Sequence, residues 1–138
     1  MHTMAGSLSS CDSWFNNPSA VVSAHYGIGF DGEIHQYVRD EDMAYANGVL
    51  EPGNRWPYQG MNPNYITISI ETEGDVGDIV TDEMFESVKF LVGKLVDKFP
   101  EIELMSSHNV ISPNTRPNCA GDRWTDALIY ELGLPVLV

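Results

Sequence analysis

The chain has 138 residues, 43% of them apolar and 10% aromatic, enough to enclose one hydrophobic core. Twenty acidic residues against seven basic ones leave a net charge of −13, which excludes nucleic acid as the main partner because phosphate contacts need clustered Lys and Arg. No apolar run approaches the roughly 20 residues of a bilayer span, and no basic region followed by an apolar stretch opens the chain, so neither membrane insertion nor a secretory signal is expected.

The first predicted element is a short helix over Ser9 to Phe15, capped by Ser9 or Ser10. Two strands follow, Val21 to Gly29 and Glu33 to Val38. The Asp31-Gly32 pair between them is a hairpin signal. Ala46 to Pro63 is rich in Gly, Pro and Asn and reads as a long loop, of the kind that often carries function. Asn64 to Glu73 alternates and predicts a strand, with Ile66, Ile68 and Ile70 on one face and Tyr65, Thr67, Ser69 and Glu71 on the other.

Thr81 to Phe99 predicts the longest helix. Thr81 caps it, Asp82 and Glu83 suit its positive end, and Pro100 stops it. Phe85, Val88, Val92, Leu95, Val96 and Phe99 recur at helical spacing. A last helix is expected over Arg123 to Leu132, closed by Gly133. The pattern predicts a single α/β domain over residues 1–138, a mixed central β-sheet with helices packed on it.

Two stretches carry the chemistry: Met1-His2-Thr3-Met4-Ala5-Gly6, and the Pro/Asn-rich loop from His108 to Gly121, which holds Arg116 and Cys119. His2, His108 and Cys119 offer two imidazoles and one thiolate, three ligands for zinc with a fourth position open. Pro113 and Pro117 stiffen the loop between two of them. Glu71, on the polar face of its strand, is the candidate base, and Arg116 the candidate cation beside the metal. His25 and His35 are competing imidazoles, and a structural zinc would want one of them as a fourth ligand. Cys11 and Cys119 are expected as free thiols or ligands rather than a disulfide. Asn47, Trp56 and Tyr58 on the long loop are candidates for a substrate-binding wall, and His25 beside Tyr26 for a cleft position.

The chain resembles the zinc-dependent N-acetylmuramoyl-L-alanine amidases of the type 2 family. That group includes many phage endolysin catalytic domains and is related in fold to peptidoglycan recognition proteins. Matching segments are His2-Thr3-Met4-Ala5-Gly6, Val22-Ser23-Ala24-His25-Tyr26, Asp31 to Val38, Ala44-Tyr45-Ala46-Asn47-Gly48, Ile68 to Gly74 and the His108 to Gly121 loop. Their order and spacing carry the resemblance.

The resemblance implies a zinc site at one face of the fold, with His2, His108 and Cys119 as ligands, Glu71 as the activating carboxylate, Arg116 near the oxyanion and His25 lining the cleft. It also implies peptidoglycan as substrate, cleaved between N-acetylmuramic acid and L-alanine, and an endolysin acting on the wall after release from the host cytoplasm. A monomer is expected. The alternative is a peptidoglycan-binding domain without catalysis. Such relatives typically lack the cysteine, so Cys119 favours the enzyme. The family has a strand before its first ligand, whereas here Met1 alone precedes His2, which predicts a frayed ligand.

Overall fold

The computed structural model describes residues 1–120 and 123–135; Gly121, which ends the loop motif, lies outside them. Four short strands form one sheet: β1 (His2–Thr3), β2 (Tyr26–Ile28), β3 (Ile34–Gln36) and β4 (Ile70–Thr72). Their order is β1-β4-β2-β3. β4 runs parallel to both β1 and β2, and β2 pairs antiparallel with β3, so the sheet is mixed. Three helices accompany it: α1 (Leu8–Phe15), α2 (Asp82–Lys98) and α3 (Asp126–Glu131).

The register defines two faces. His2 pairs with Glu71, Glu71 with Gly27 and Gly27 with His35, so these four form one row across the sheet. Side chains alternate along a strand, so the neighbouring rows face the other way. Those rows hold Tyr26, Ile28, Ile34, Ile70 and Thr72. Of these, Tyr26, Ile28 and Ile70 belong to the main core with Met84, Val88, Leu91, Val92 and Leu95 of α2. Each such side chain contributes about 1.5–3 kcal/mol by leaving water. α1 lies on the His2 row, where Gly27 makes room for it. A Cβ on Gly27 would stand 3.0 Å from Leu8 and 2.7 Å from the Tyr37 hydroxyl.

α2 follows its sequence signals. Thr81 accepts from Met84 N–H and Asp82 and Glu83 occupy the first turn. Thr81 also donates to Phe30 O at 2.5 Å, which ties the helix start to the β2–β3 hairpin. The Asp-Gly turn forms as expected: Gly29 N–H donates to Glu33 O at 2.9 Å, and Gly32 has φ +83°. α1 starts one residue before its expected span, because Ser7 rather than Ser9 or Ser10 accepts from Ser10 N–H. The last helix is shorter than its pattern, with Thr125 as cap.

The expectation of a strand from Asn64 is corrected. Asn62 caps a 3-10 turn over Pro63–Tyr65, and the ladder begins only at Ile70. The inside-outside alternation fails there too: Ile66 is exposed and Ser69 is buried. A polar chain crosses to β1 from the core. Trp124 Nε1 donates to Thr72 Oγ1 at 3.0 Å, and Thr72 donates to His2 O at 2.9 Å. That chain fixes the edge strand bearing His2.

Candidate metal centre

His2 leaves β1 on the α1 face, at the edge of the sheet. It is 3% exposed, so the frayed terminus expected from sequence is not what forms. Three contacts bury it: pairing with β4, the Thr72 hydroxyl, and His108 N–H donating to Met1 O at 3.2 Å. The last contact carries the chain from one candidate ligand to the next. His108 opens a 3-10 turn over His108–Val110, and its ring lies 4.4 Å from that of His2. Asn109 N–H donates to Cys119 O at 2.9 Å, which folds the far end of the loop back onto its start.

The loop between them is built of successive turns. Arg116 N–H donates to Ser112 O at 2.9 Å, and Cys119 N–H to Arg116 O at 3.2 Å. Glu51 clamps its outer side, accepting from Asn114 N–H at 2.7 Å and Thr115 N–H at 3.1 Å. Those bonds hold the Glu51 carboxyl below its ordinary range, the Thr115 hydroxyl contributing most. Glu51 is a site-building residue that the sequence reading passed over; no periodicity marks a loop carboxylate that caps another loop.

The result is a gathered donor set. One ligand atom from each of His2, His108 and Cys119 lies within 4.8 Å of the others, a group that could hold a metal ion. The chemistry of the donors fits one. Burial pushes the His2 imidazole well below its ordinary pKa and His108 down to about 4, so both rings offer neutral lone pairs. Burial, with the Glu71 carboxylate nearby, pushes the Cys119 thiol up, and a bound cation is the natural counter-charge for its thiolate. Thr3 N–H lies 3.5 Å from Cys119 Sγ, as the donors that support metal thiolates do.

Glu71 stands beside this group, its Oε1 3.8 Å from His2 Nδ1. That approach is not an ion pair, because burial favours the neutral form of each partner. Burial pushes Glu71 up to about 7. A carboxyl poised near neutrality, next to a metal-ligand cluster, suits proton transfer.

An open cleft of about 1270 Å³ runs over the cluster. His2, Glu71, His108, Arg116 and Cys119 all line it. Arg116 is exposed there, its guanidinium donating to the Thr115 carbonyl at 2.9 Å. The structure therefore brings the sequence-derived ligands, carboxylate and cation to one cleft.

The other candidates are redistributed. Asn47 reaches the cleft floor, but its oxygens lie against the two imidazoles: Oδ1 3.2 Å from His2 Nε2, and the backbone O 3.2 Å from His108 Nε2. His25 does not line the cleft and is no fourth ligand. It is buried in the fold, with Ser69 N–H donating to Nδ1 at 3.0 Å and Nε2–H donating to Asp42 O at 3.0 Å. His35 pairs with Asp12 at 2.8 Å and Glu33 at 3.1 Å on the far strand. Trp56 and Tyr58 pack edge to face on the wall of a second, mainly apolar cavity of about 310 Å³, which shares His2, Asn47 and His108 with the cleft, so they stand behind the cluster and not on the open cleft wall. Trp14 and Tyr45, each 55% exposed, stand on the cleft wall instead. Tyr45 lay within a segment already singled out; Trp14 showed only as an apolar residue on a short helix. Cys11 and Cys119 are both free, as expected.

The sequence profile of the N-acetylmuramoyl-L-alanine amidase family matches residues 1–122. The chain belongs to that family. N-acetylmuramoyl-L-alanine amidase A of Achromobacter lyticus is 44% identical over 79 residues, 56% of this chain and 37% of its own length. The 1,6-anhydro-N-acetylmuramyl-L-alanine amidase AmpD of Escherichia coli K12 is 35% identical over 97 residues, 69% of this chain and 50% of its own. This amidase-family chain thus spans half or less of those two relatives. A crystal structure of a selenomethionine AmpD derivative superposes with a TM-score of 0.79 at 26% identity, covering 95% of this chain and 80% of that one. The mixed sheet and its helices are those of an amidase.

Proposed function

We propose that the chain is a zinc-dependent hydrolase that cleaves the amide between the lactyl group of N-acetylmuramic acid and L-alanine in peptidoglycan. The observation that carries this is the convergence of His2, His108 and Cys119 within 4.8 Å, beside a carboxyl raised to about 7, in a member of the amidase family. Two imidazoles and one thiolate are a set of protein ligands that leaves one zinc position open. When bound, zinc supplies Lewis acidity at the scissile carbonyl and acidifies water at that open position.

Glu71 takes the proton of the attacking water and later gives it to the departing nitrogen. The C–N bond breaks and a C–O bond forms. The products are a lactyl carboxylic acid and a free amino group on L-alanine. Arg116 supplies positive charge on the cleft wall for the developing oxyanion, and must release the Thr115 carbonyl to do so. Trp14 and Tyr45 offer aromatic faces for the glycopeptide. Asn47 supports the imidazoles instead of the substrate.

Amide rather than glycoside hydrolysis is supported by the carboxyls described at the cleft: Glu71 stands at the cluster, and Glu51 is taken up by Asn114 and Thr115 of the loop. Glycosidases use two, and the nearest sequence partner is committed elsewhere: Glu73 accepts from Leu8 N–H at 3.0 Å and Phe30 N–H at 2.8 Å. The setting we propose is a phage or prophage endolysin, made in the host cytoplasm and acting as a monomer on the wall after release. No helix among the described residues is long and apolar enough to cross a membrane.

Digestion of purified peptidoglycan tests the reaction. New amino groups on L-alanine without new reducing sugar ends are expected; reducing ends without free alanine amines would overturn it. Parallel assays on intact walls and on soluble anhydro-muramyl peptides test the setting. An endolysin attacks the wall, and turnover of the soluble peptides alone would refute that role.

A further inference from the structure

Asn47 touches both imidazoles of the cluster, and its own orientation is fixed from outside it. Thr67 Oγ1 lies 2.8 Å from the carbonyl of Pro63. A carbonyl only accepts and a hydroxyl has one proton, so the Thr67 proton points at Pro63. Thr67 Oγ1 must then accept from its other neighbour, the Asn47 side chain at 2.8 Å, so Nδ2 of that amide faces Thr67. The opposite end, Oδ1, faces His2 Nε2 at 3.2 Å and can only accept. His2 Nε2 therefore carries the ring proton. His108 Nε2 lies 3.2 Å from the backbone carbonyl of the same residue, which likewise only accepts, so His108 Nε2 carries its proton too. That carbonyl is held in place by Asn47 N–H donating to Asn64 Oδ1 at 2.9 Å.

We propose that Asn47 is a positioning residue that fixes the tautomer of both imidazoles in the cluster. Its side chain acts on His2 and its main chain on His108, with Thr67 and the Pro63 carbonyl setting which way the amide faces. Both rings then present the Nδ1 lone pair to the cation, in the way that metal-ligating histidines are oriented through their other nitrogen. The consequence for the metal rests on the zinc reading above. The tautomers do not, because they follow from hydrogen bonds within the protein.

The test separates the two. Long-range proton–nitrogen correlation spectra of the metal-free, nitrogen-15-labelled full chain should show Nε2–H on both His2 and His108; Nδ1–H on either ring would overturn the proposal. Asn47→Ala should leave His108 as it was, since the carbonyl remains, while His2 loses its preference for Nε2–H. Zinc affinity should fall about 10- to 100-fold.

Thr67→Val should move His2 in the same direction, because the freed amide can turn over. Thr67→Ser keeps the hydroxyl and should restore the wild-type tautomer and affinity. If Asn47→Ala fails to fold, the Thr67 pair decides: identical His2 spectra and zinc affinities in Thr67→Val and Thr67→Ser would overturn the role. A wild-type chain with Nε2–H on both rings that takes up no zinc would refute the metal reading and support the positioning role.

Discussion

At the scale of single residues, environment separates chemically similar groups. Glu71 and Glu73 are two apart in sequence. Glu73 satisfies two backbone donors, whereas Glu71, mostly shielded from water and without such donors among the described residues, rises to about 7. Glu71→Gln is nearly isosteric but cannot take a proton. It should keep the metal and lose about 10²- to 10⁴-fold in turnover; wild-type turnover in the variant would reduce Glu71 to a structural role. His35 is the contrasting histidine. Hydrogen bonds to Asp12 and Glu33 raise its pKa, and the same bonds with the Tyr37 hydroxyl lower that of Asp12. The raised histidine stabilises the fold fully below its ordinary value near 6.5 and loses that as pH rises through the folded value. The lowered carboxyl stabilises above its ordinary value near 3.9 and loses that in acid. Denaturant midpoints of wild type and His35→Gln should therefore differ most near pH 5 and converge towards pH 8. A gap that widens with alkalinity would contradict the assignment.

At the scale of elements, Thr81 does two things at once. It caps α2 and donates to the Phe30 carbonyl in the hairpin. Thr81→Ala should cost about 1–2 kcal/mol in urea unfolding, at the upper end for a lost cap, and Thr81→Ser should recover most of it. A loss no larger than that of an exposed threonine elsewhere would show that the hairpin tie contributes nothing. α2 and the Asp-Gly turn were legible in the sequence because each carries a local signal, a long 3.6-residue period in one case and one left-handed glycine in the other. β1 was not, since two residues have no period. The strand expected from Asn64 was over-read because Ile66, Ile68 and Ile70 alternate while Asn62 and Pro63 impose a turn. The candidate ligands could be nominated by chemical type. That Asn47 stands behind the imidazoles, and Trp56 behind another wall, depends on contacts between distant loops that no local pattern records.

At the scale of the whole molecule, the cluster joins an edge strand to a loop from the other end of the chain. A metal that binds only the folded form stabilises it by mass action, about 2.7 kcal/mol at a free concentration 100 times its Kd. Chelation should lower the melting temperature of wild type, and added zinc should restore it. Cys119→Ser should shrink that difference sharply, a hydroxyl being a poor zinc ligand, while Cys11→Ser should leave it in place. Equal shifts in all three proteins would mean that the ion binds elsewhere.

The same geography orders events in time. His2 leaves the ribosome well before Cys119, which lies 117 residues further along the sequence. Translation proceeds at roughly 5–20 residues per second, so several seconds separate the appearance of the first donor from that of the third. Throughout that interval the growing polypeptide carries His2 but not the loop that brings in Cys119, and β1 itself waits for its partner strand β4. The donor set is therefore completed only once the loop that carries Cys119 has been made, and a fragment that stops short of that loop lacks the third candidate ligand.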